Sequence, residues 1–109
     1  MLHKYSENKP VEPKFIITMD GRLRIGYVKM HRDLLQPSDR CIGGGLWYID
    51  YPSSTLRLEG KSYDYGRPQW FLLDTLRVPK EYRGLTIVYK GDNFMDDFDV
   101  SERLHIVYV

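Results

Sequence analysis

The sequence predicts one small all-β domain, and three observations predict it. No alanine occurs in 109 residues, whereas nine residues are tyrosine. Alanine is the strongest helix former, while aromatic and β-branched side chains fit a pleated, half-buried surface. The aliphatic residues fall in short alternating runs of valine, isoleucine and leucine, the period of a strand with one dry face. Turn residues punctuate these runs about every 8–12 positions, the spacing of a small antiparallel sandwich, roll or partly open barrel of about seven strands.

Taken in order, residues 1–13 are polar, carry Pro10 and Pro13, and read as a flexible tail ahead of a single β domain over 14–109. Phe15–Met19 and Arg22–Val28 flank Asp20-Gly21. A two-residue type I′ turn there would set Ile16 opposite Ile25 and Thr18 opposite Leu23. Gly26 marks a bulge or a close approach of another segment. Residues 31–45 lack sustained alternation and read as a long connection holding at most one helical turn, with Gly43-Gly44-Gly45 letting the chain bend before Trp47. Leu46–Tyr51 and Thr55–Glu59 form a second hairpin around Pro52-Ser53-Ser54, with Leu56 and Leu58 on its dry face.

Lys61–Tyr65 prolongs that strand until Gly66-Arg67-Pro68 breaks it, and Trp70–Leu76 is too short an apolar run to assign by period. Pro79 ends it, Lys80–Gly84 is a turn, Leu85–Tyr89 is a strand, and Arg103–Val109 closes the chain as a last strand.

Sixteen Lys and Arg against fifteen Asp and Glu leave a net charge of +1, which argues against nucleic acid or an acidic membrane surface as partner. The distribution is uneven. Residues 92–102 hold Asp92, Asp96, Asp97, Asp99 and Glu102 with no basic side chain, while residues 1–91 hold fifteen basic against ten acidic. No apolar run has the length of a membrane span, and none follows Met1-Leu2-His3-Lys4-Tyr5 as a secretory signal would require. The lone Cys41 has no internal disulfide partner, so a reducing, cytoplasmic setting is expected.

The candidate chemistry is sparse. His31-Arg32-Asp33-Leu34 matches the opening of a protein-kinase catalytic loop, but Ser38 stands where that loop needs asparagine and the nucleotide-binding motifs are missing. What survives is a histidine and a carboxylate two residues apart. In an extended stretch His31 and Asp33 would share one side as an acid–base pair, or simply as a surface hydrogen bond. Arg32 between them counts as a binding residue. Asp97-Phe98-Asp99-Val100-Ser101 begins like a calcium loop, but Glu102 and Tyr108 stand where glycine and glutamate are required. No metal or other cofactor is expected.

Tyr48, Tyr51, Tyr63 and Tyr65, with Trp47 and Trp70, make the densest aromatic region; Trp47, Tyr48, Tyr63 and Tyr65, with Asp64 and Arg67, are the candidate binding surface, or else a set of cross-strand packing pairs. The first functional expectation is a bacterial-type accessory or protein-interaction domain that binds a protein partner or itself through this Tyr/Trp surface and through strand edges, the terminal strand Arg103–Val109 and the hairpin at Asp20-Gly21 being the plausible ones. A small ligand-binding barrel or enzyme using His31 and Asp33 is the alternative, and a nucleic-acid-binding β domain the third.

Overall fold

The computed structural model describes residues 9–60, 65–91 and 97–109. Among these, eight strands carry the fold: β1 (Glu12–Thr18), β2 (Leu23–Val28), β3 (Cys41–Asp50), β4 (Thr55–Glu59), β5 (Thr75–Val78), β6 (Thr86–Lys90), β7 (Phe98–Asp99) and β8 (His105–Tyr108). One short helix, α1 (Val100–Arg103), precedes β8, and 3-10 turns occupy His31–Leu34, Trp70–Leu72 and Lys80–Tyr82. The all-β expectation therefore holds. A six-stranded sheet runs in the order β2-β1-β3-β4-β6-β7, and β5 and β8 form a second, two-stranded sheet.

The first strand starts earlier than the boundary at residue 14 allowed. Glu12 pairs with Val28 and Pro13 with Tyr27, whereas the β1/β3 ladder reaches only Lys14. The missing N–H of Pro13 thus falls outside the inner ladder, where proline is tolerated. Lys14 is buried, and its ammonium donates to the Lys29 carbonyl at 2.7 Å, tying the end of β2 back onto β1.

The first hairpin is one residue out of the expected register. Ile17 faces Leu23 and Phe15 faces Ile25. Met19, Asp20 and Gly21 form a three-residue loop: Gly21 N–H donates to the Thr18 carbonyl, Thr18 N–H to the Arg22 carbonyl, and Gly21 alone takes a positive φ of 81° there. A type I′ turn needs positive φ at Asp20 as well. The Thr18 hydroxyl instead donates to the Asp20 carboxylate and accepts from Arg22 N–H, holding the wider loop. A one-residue slip exchanges faces, so Phe15 and Ile17, not Ile16 and Thr18, enter the core beside Leu23. Gly26 is a close approach rather than a bulge, because its Cβ position would lie 2.9 Å from Leu34 Cδ2.

The glycine run is also strand, not bend. Ile17, Ile16 and Phe15 pair with Gly43, Gly44 and Gly45. The second hairpin is as expected, with Asp50 facing Thr55 and Leu56 and Leu58 fully buried.

Two of the six strand pairings, β4/β6 and β5/β8, are parallel, so the pairing is mixed where an antiparallel sandwich, roll or partly open barrel was expected. Parallel neighbours need a long crossover. The chain from β4 to β6 supplies it by descending through β5 in the other layer, and the chain from β5 to β8 returns through β6 and β7. The layers join at the first hairpin's tip, where Arg77 N–H donates to the Gly21 carbonyl at 2.6 Å and Arg22 bridges Arg77. Between them lie Phe15, Ile17, Leu56, Leu58, Leu76, Val78, Ile87 and Val100. The closing strand is shorter than expected because Asp99 accepts from Ser101 N–H at 2.9 Å, capping α1 over residues assigned to loop and strand.

Two outcomes follow for stability. A Cβ at Gly43, where φ is +153°, would lie 2.4 Å from backbone atoms of Pro68, whereas one at Gly84, at φ +95°, meets nothing. Denaturant melts should therefore show Gly43→Ala losing about 3 kcal/mol or more and Gly84→Ala only about 1 kcal/mol. The Thr18 hydroxyl, followed by Arg22, holds the Asp20 carboxyl below the usual carboxylate range. A lowered folded-state pKa gives stability that is present above the unfolded value of about 3.9 and lost as the pH falls through the folded one. Asp20→Asn should thus cost up to about 1 kcal/mol at neutral pH, and the difference from wild type should close as melts are repeated toward acid.

Candidate functional site

His31 is buried, not displayed. Its 3-10 turn lies on the outer face of the six-stranded sheet, and its Nε2 is 2.8 Å from the Gly45 carbonyl. A carbonyl oxygen only accepts, so Nε2 carries the proton. The ring fits because β3 has no side chain beneath it: a Cβ at Gly44 would lie 3.3 Å from both His31 Cδ2 and Ile16 Cγ2. Tyr65 covers the ring edge-on, with centroids 6.1 Å apart. The segment behind Tyr65 runs along β3, with Gly44 N–H donating to the Gly66 carbonyl and Gln69 N–H to the Ile42 carbonyl. The glycine run thus seats His31 on one side and the 65–69 segment along its edge.

Asp33 takes a different partner. Its Oδ2 accepts from Met30 N–H at 3.1 Å, capping the start of the turn. The shared side expected of His31 and Asp33 assumed extended backbone. With about three residues per 3-10 turn, positions two apart diverge, and here His31 is buried while Arg32 and Asp33 are exposed.

The aromatic candidates do not form one surface. Trp47 is buried in the core and Tyr48, its neighbour on β3, is exposed on the opposite face, as strand alternation requires. Tyr65 is half-buried against His31, and Arg67 is exposed one turn along. Tyr63 and Asp64 lie outside the described residues, as do the prolongation of β4 through residue 64 and the acidic positions 92–96. Asp97 accepts from Gly91 N–H at 2.9 Å and the Ser101 hydroxyl from Ile87 N–H at 3.1 Å, so the calcium-like stretch is spent on backbone contacts. Among the described residues no group of three or more His, Cys, Asp or Glu is gathered for a metal ion. Burial, then Asp39, pushes the Cys41 thiol up, which makes it a poor nucleophile at neutral pH.

Of two further features, the first escaped the sequence and the second, the terminal strand as a sheet edge, was expected from it. One is an aromatic row where the two layers part beyond the Arg22/Arg77 bridge. Tyr27 meets Trp47 edge-on at 5.2 Å, and Trp47 meets Tyr82 at 6.3 Å. Trp47 is anchored by its Nε1–H donating to the Gly26 carbonyl at 3.3 Å, while Tyr27 is 68% and Tyr51 78% exposed. Burial, then Glu81, Tyr27 and Tyr51, raises the Tyr82 phenol above its ordinary value. Tyr27 and Tyr82 are far apart in sequence and looked like isolated residues of a strand and a turn.

The other feature is the outer edge of β8. His105 N–H donates to the Asp74 carbonyl and Val109 N–H to the Val78 carbonyl. Alternation therefore turns the backbone N–H and C=O groups of Ile106 and Tyr108 away from β5. Among the described residues no strand pairs with that edge. The side chains of Ile106 and Tyr108 pack against the core, so the edge is held rigidly while its polar groups point out.

No protein-family model, curated protein or solved structure matches the chain. No helix among the described residues is long and apolar enough to cross a membrane.

The placement of His31 makes it a packing residue of the sheet. His31→Ala should lower stability by about 2–4 kcal/mol through the lost ring and its hydrogen bond, whereas Asp33→Asn should cost under about 1 kcal/mol. Chemical denaturation of the two variants checks the ranking.

Proposed function

We propose that this domain is a protein-interaction module whose partner is a second copy of itself, joined through β8. The outward-facing backbone groups of Ile106 and Tyr108 carry the reading, since an unpaired edge is a template for strand addition. An antiparallel two-fold pairing centred on Val107 sets Ile106 of each copy opposite Tyr108 of the other. It satisfies both outward N–H and both outward C=O groups on each side, and brings the two Val107 side chains together at the axis. The edge carries no Lys, Asp or Glu between His105 and Val109, so no like charges oppose the pairing. The acidic 92–102 segment and the basic remainder of the chain supply weak, salt-sensitive attraction between copies.

Nothing in this reading asks His31 or Asp33 to act on a substrate. Val107 lies on the face away from the core, so Val107→Lys places a charge at the two-fold axis without entering the interior. Sedimentation at high micromolar concentration and low salt should show a monomer–dimer equilibrium for the wild-type chain and monomer for Val107→Lys, with the variant's circular dichroism unchanged. Wild-type monomer throughout, or a dimer indifferent to Val107→Lys, would overturn the proposal.

A further inference from the structure

Asp20-Gly21 reads in the sequence as a turn, and the fold makes it the point at which the two layers are joined. The same dipeptide carries a latent reaction. Glycine has no Cβ to shield its backbone nitrogen, so that nitrogen can attack the side-chain Cγ of a preceding aspartate. The N–Cγ bond forms, the Cγ–O bond of the protonated carboxyl breaks, and the oxygen leaves as water, taking the carboxyl and amide protons. Water then reopens the five-membered succinimide at either carbonyl. Opening at Cγ restores aspartate, whereas opening at the α-carbonyl leaves the peptide running through Cβ and Cγ as isoaspartate. Mass is unchanged, and water is the sole co-reactant.

The hairpin tip opposes each requirement of that attack. The carboxyl must be protonated for its oxygen to leave, but the Thr18 hydroxyl donates to one oxygen of Asp20 and Arg22 Nε lies 3.2 Å from the other, which keeps the group ionised. The nitrogen must be free, but Gly21 N–H donates to the Thr18 carbonyl at 3.0 Å. The peptide plane must turn to bring nitrogen and Cγ together, but the Asp20 carbonyl accepts from Arg77 Nη1 at 2.6 Å. One peptide group is thus held by β1 at its N–H and by β5 at its C=O. The carboxylate itself is 63% exposed, so burial is not what protects it.

The product does not fit where the reactant does. Isoaspartate adds a backbone carbon between Asp20 and Gly21, yet Gly21 sits at φ 81° with its Cβ position 2.5 Å from the Thr75 carbonyl oxygen and its own C=O accepting from Arg77 N–H at 2.6 Å. A tip lengthened there loses the match to Thr18 on one side and Arg77 on the other. We propose that Asp20-Gly21 is a latent succinimide-forming site, closed in the folded domain by Thr18 and Arg77, and that reaction there, once the tip has left β5, makes the parting of the layers permanent. Neither half depends on the β8 contact.

The test is ageing of the whole chain at neutral pH followed by trypsin, which releases Phe15–Arg22 with the dipeptide inside it. Isoaspartate is read as a second peak of unchanged mass, assigned by electron-transfer fragmentation. The folded wild-type chain should form it at least about ten-fold more slowly than the chain aged in denaturant, because the reaction waits on local opening. Thr18→Val and Arg77→Met each remove one hold on the peptide while keeping the bulk of the side chain, and each should speed the folded-state reaction about three- to ten-fold with circular dichroism unchanged. The two act from different layers, so loss of fold in one leaves the other to decide. In isomerised chain separated from the parent, Arg77 N–H should lose its protection from amide exchange. Equal rates in folded and denatured chain, or a rate unmoved in a variant that remains folded, would overturn the closure. Native protection of Arg77 N–H in the isomerised chain would overturn the permanent parting.

Discussion

A run of three glycines in a central strand is ordinarily a weakness, since glycine loses the most backbone entropy on ordering and contributes no packing. Here the fold is arranged around one. Gly43, Gly44 and Gly45 pair with β1, the strand that contributes the fully buried Phe15, Ile16 and Ile17. The space left by their missing Cβ atoms is filled from two directions, by the His31 ring over Gly44 and by the backbone of Arg67 and Pro68 against Gly43. This single accommodation fixes the 31–34 turn on the outer face and lays the 65–69 segment along β3 beyond the end of β4. It also explains why β1 is buried on both faces, so that Ile16 remains at zero exposure even after the register slip moved it off the core side.

The second constraint is topological. β4 and β6 are parallel neighbours, as are β5 and β8, and each pair's crossover contains a strand of the other. The layers are thereby interleaved, and neither sheet is complete without the chain passing through its partner. The seam between them is short, limited to the Gly21 tip, Arg22 and the β5 backbone around Arg77. Gly21 is required there: its φ is +81° and its Cβ position would fall 2.5 Å from the Thr75 carbonyl oxygen. Beyond that seam no backbone pairing joins β2 to β5 among the described residues. Trp47 and Tyr82 pack together there, and among the described residues β8 has β5 on one side only. The open edge and the aromatic row are two results of the same incomplete closure.

Those parts of the fold governed by local pattern were legible in the sequence. Leu56 and Leu58 alternate with Arg57 and Glu59, and β4 forms as that alternation requires; the β3/β4 turn needs only Pro52-Ser53-Ser54 and its neighbours, with Asp50 accepting from the Ser53 hydroxyl at 2.8 Å. What was not legible depended on partners distant in sequence. The Asp-Gly pair resembles a two-residue turn until the Thr18 hydroxyl, which bonds both Asp20 and Arg22 N–H, is counted. The glycine run reads as a bend because its justification lies in His31 and Pro68. His31 reads as a surface base because its acceptor, Gly45, is an unremarkable backbone carbonyl fourteen residues on.

The same distinction separates the two kinds of aromatic residue. A dense local cluster, Trp47, Tyr48, Tyr63 and Tyr65, was the natural candidate for a binding face, yet adjacent positions on a strand must point to opposite sides, and Trp47 and Tyr48 do. Rings meet instead where β2, β3 and the turn after β5 come together, Tyr27 and Tyr82 each standing edge-on to Trp47. Covering that gap with aliphatic side chains would have sealed the roll at lower cost in exposed apolar surface. Tyr27 keeps its ring packed edge-on to Trp47 while most of its surface stays exposed. The gap is thus closed from the core side by Trp47, which its Nε1–H anchors to the Gly26 carbonyl, with one tyrosine edge-on to it from each layer.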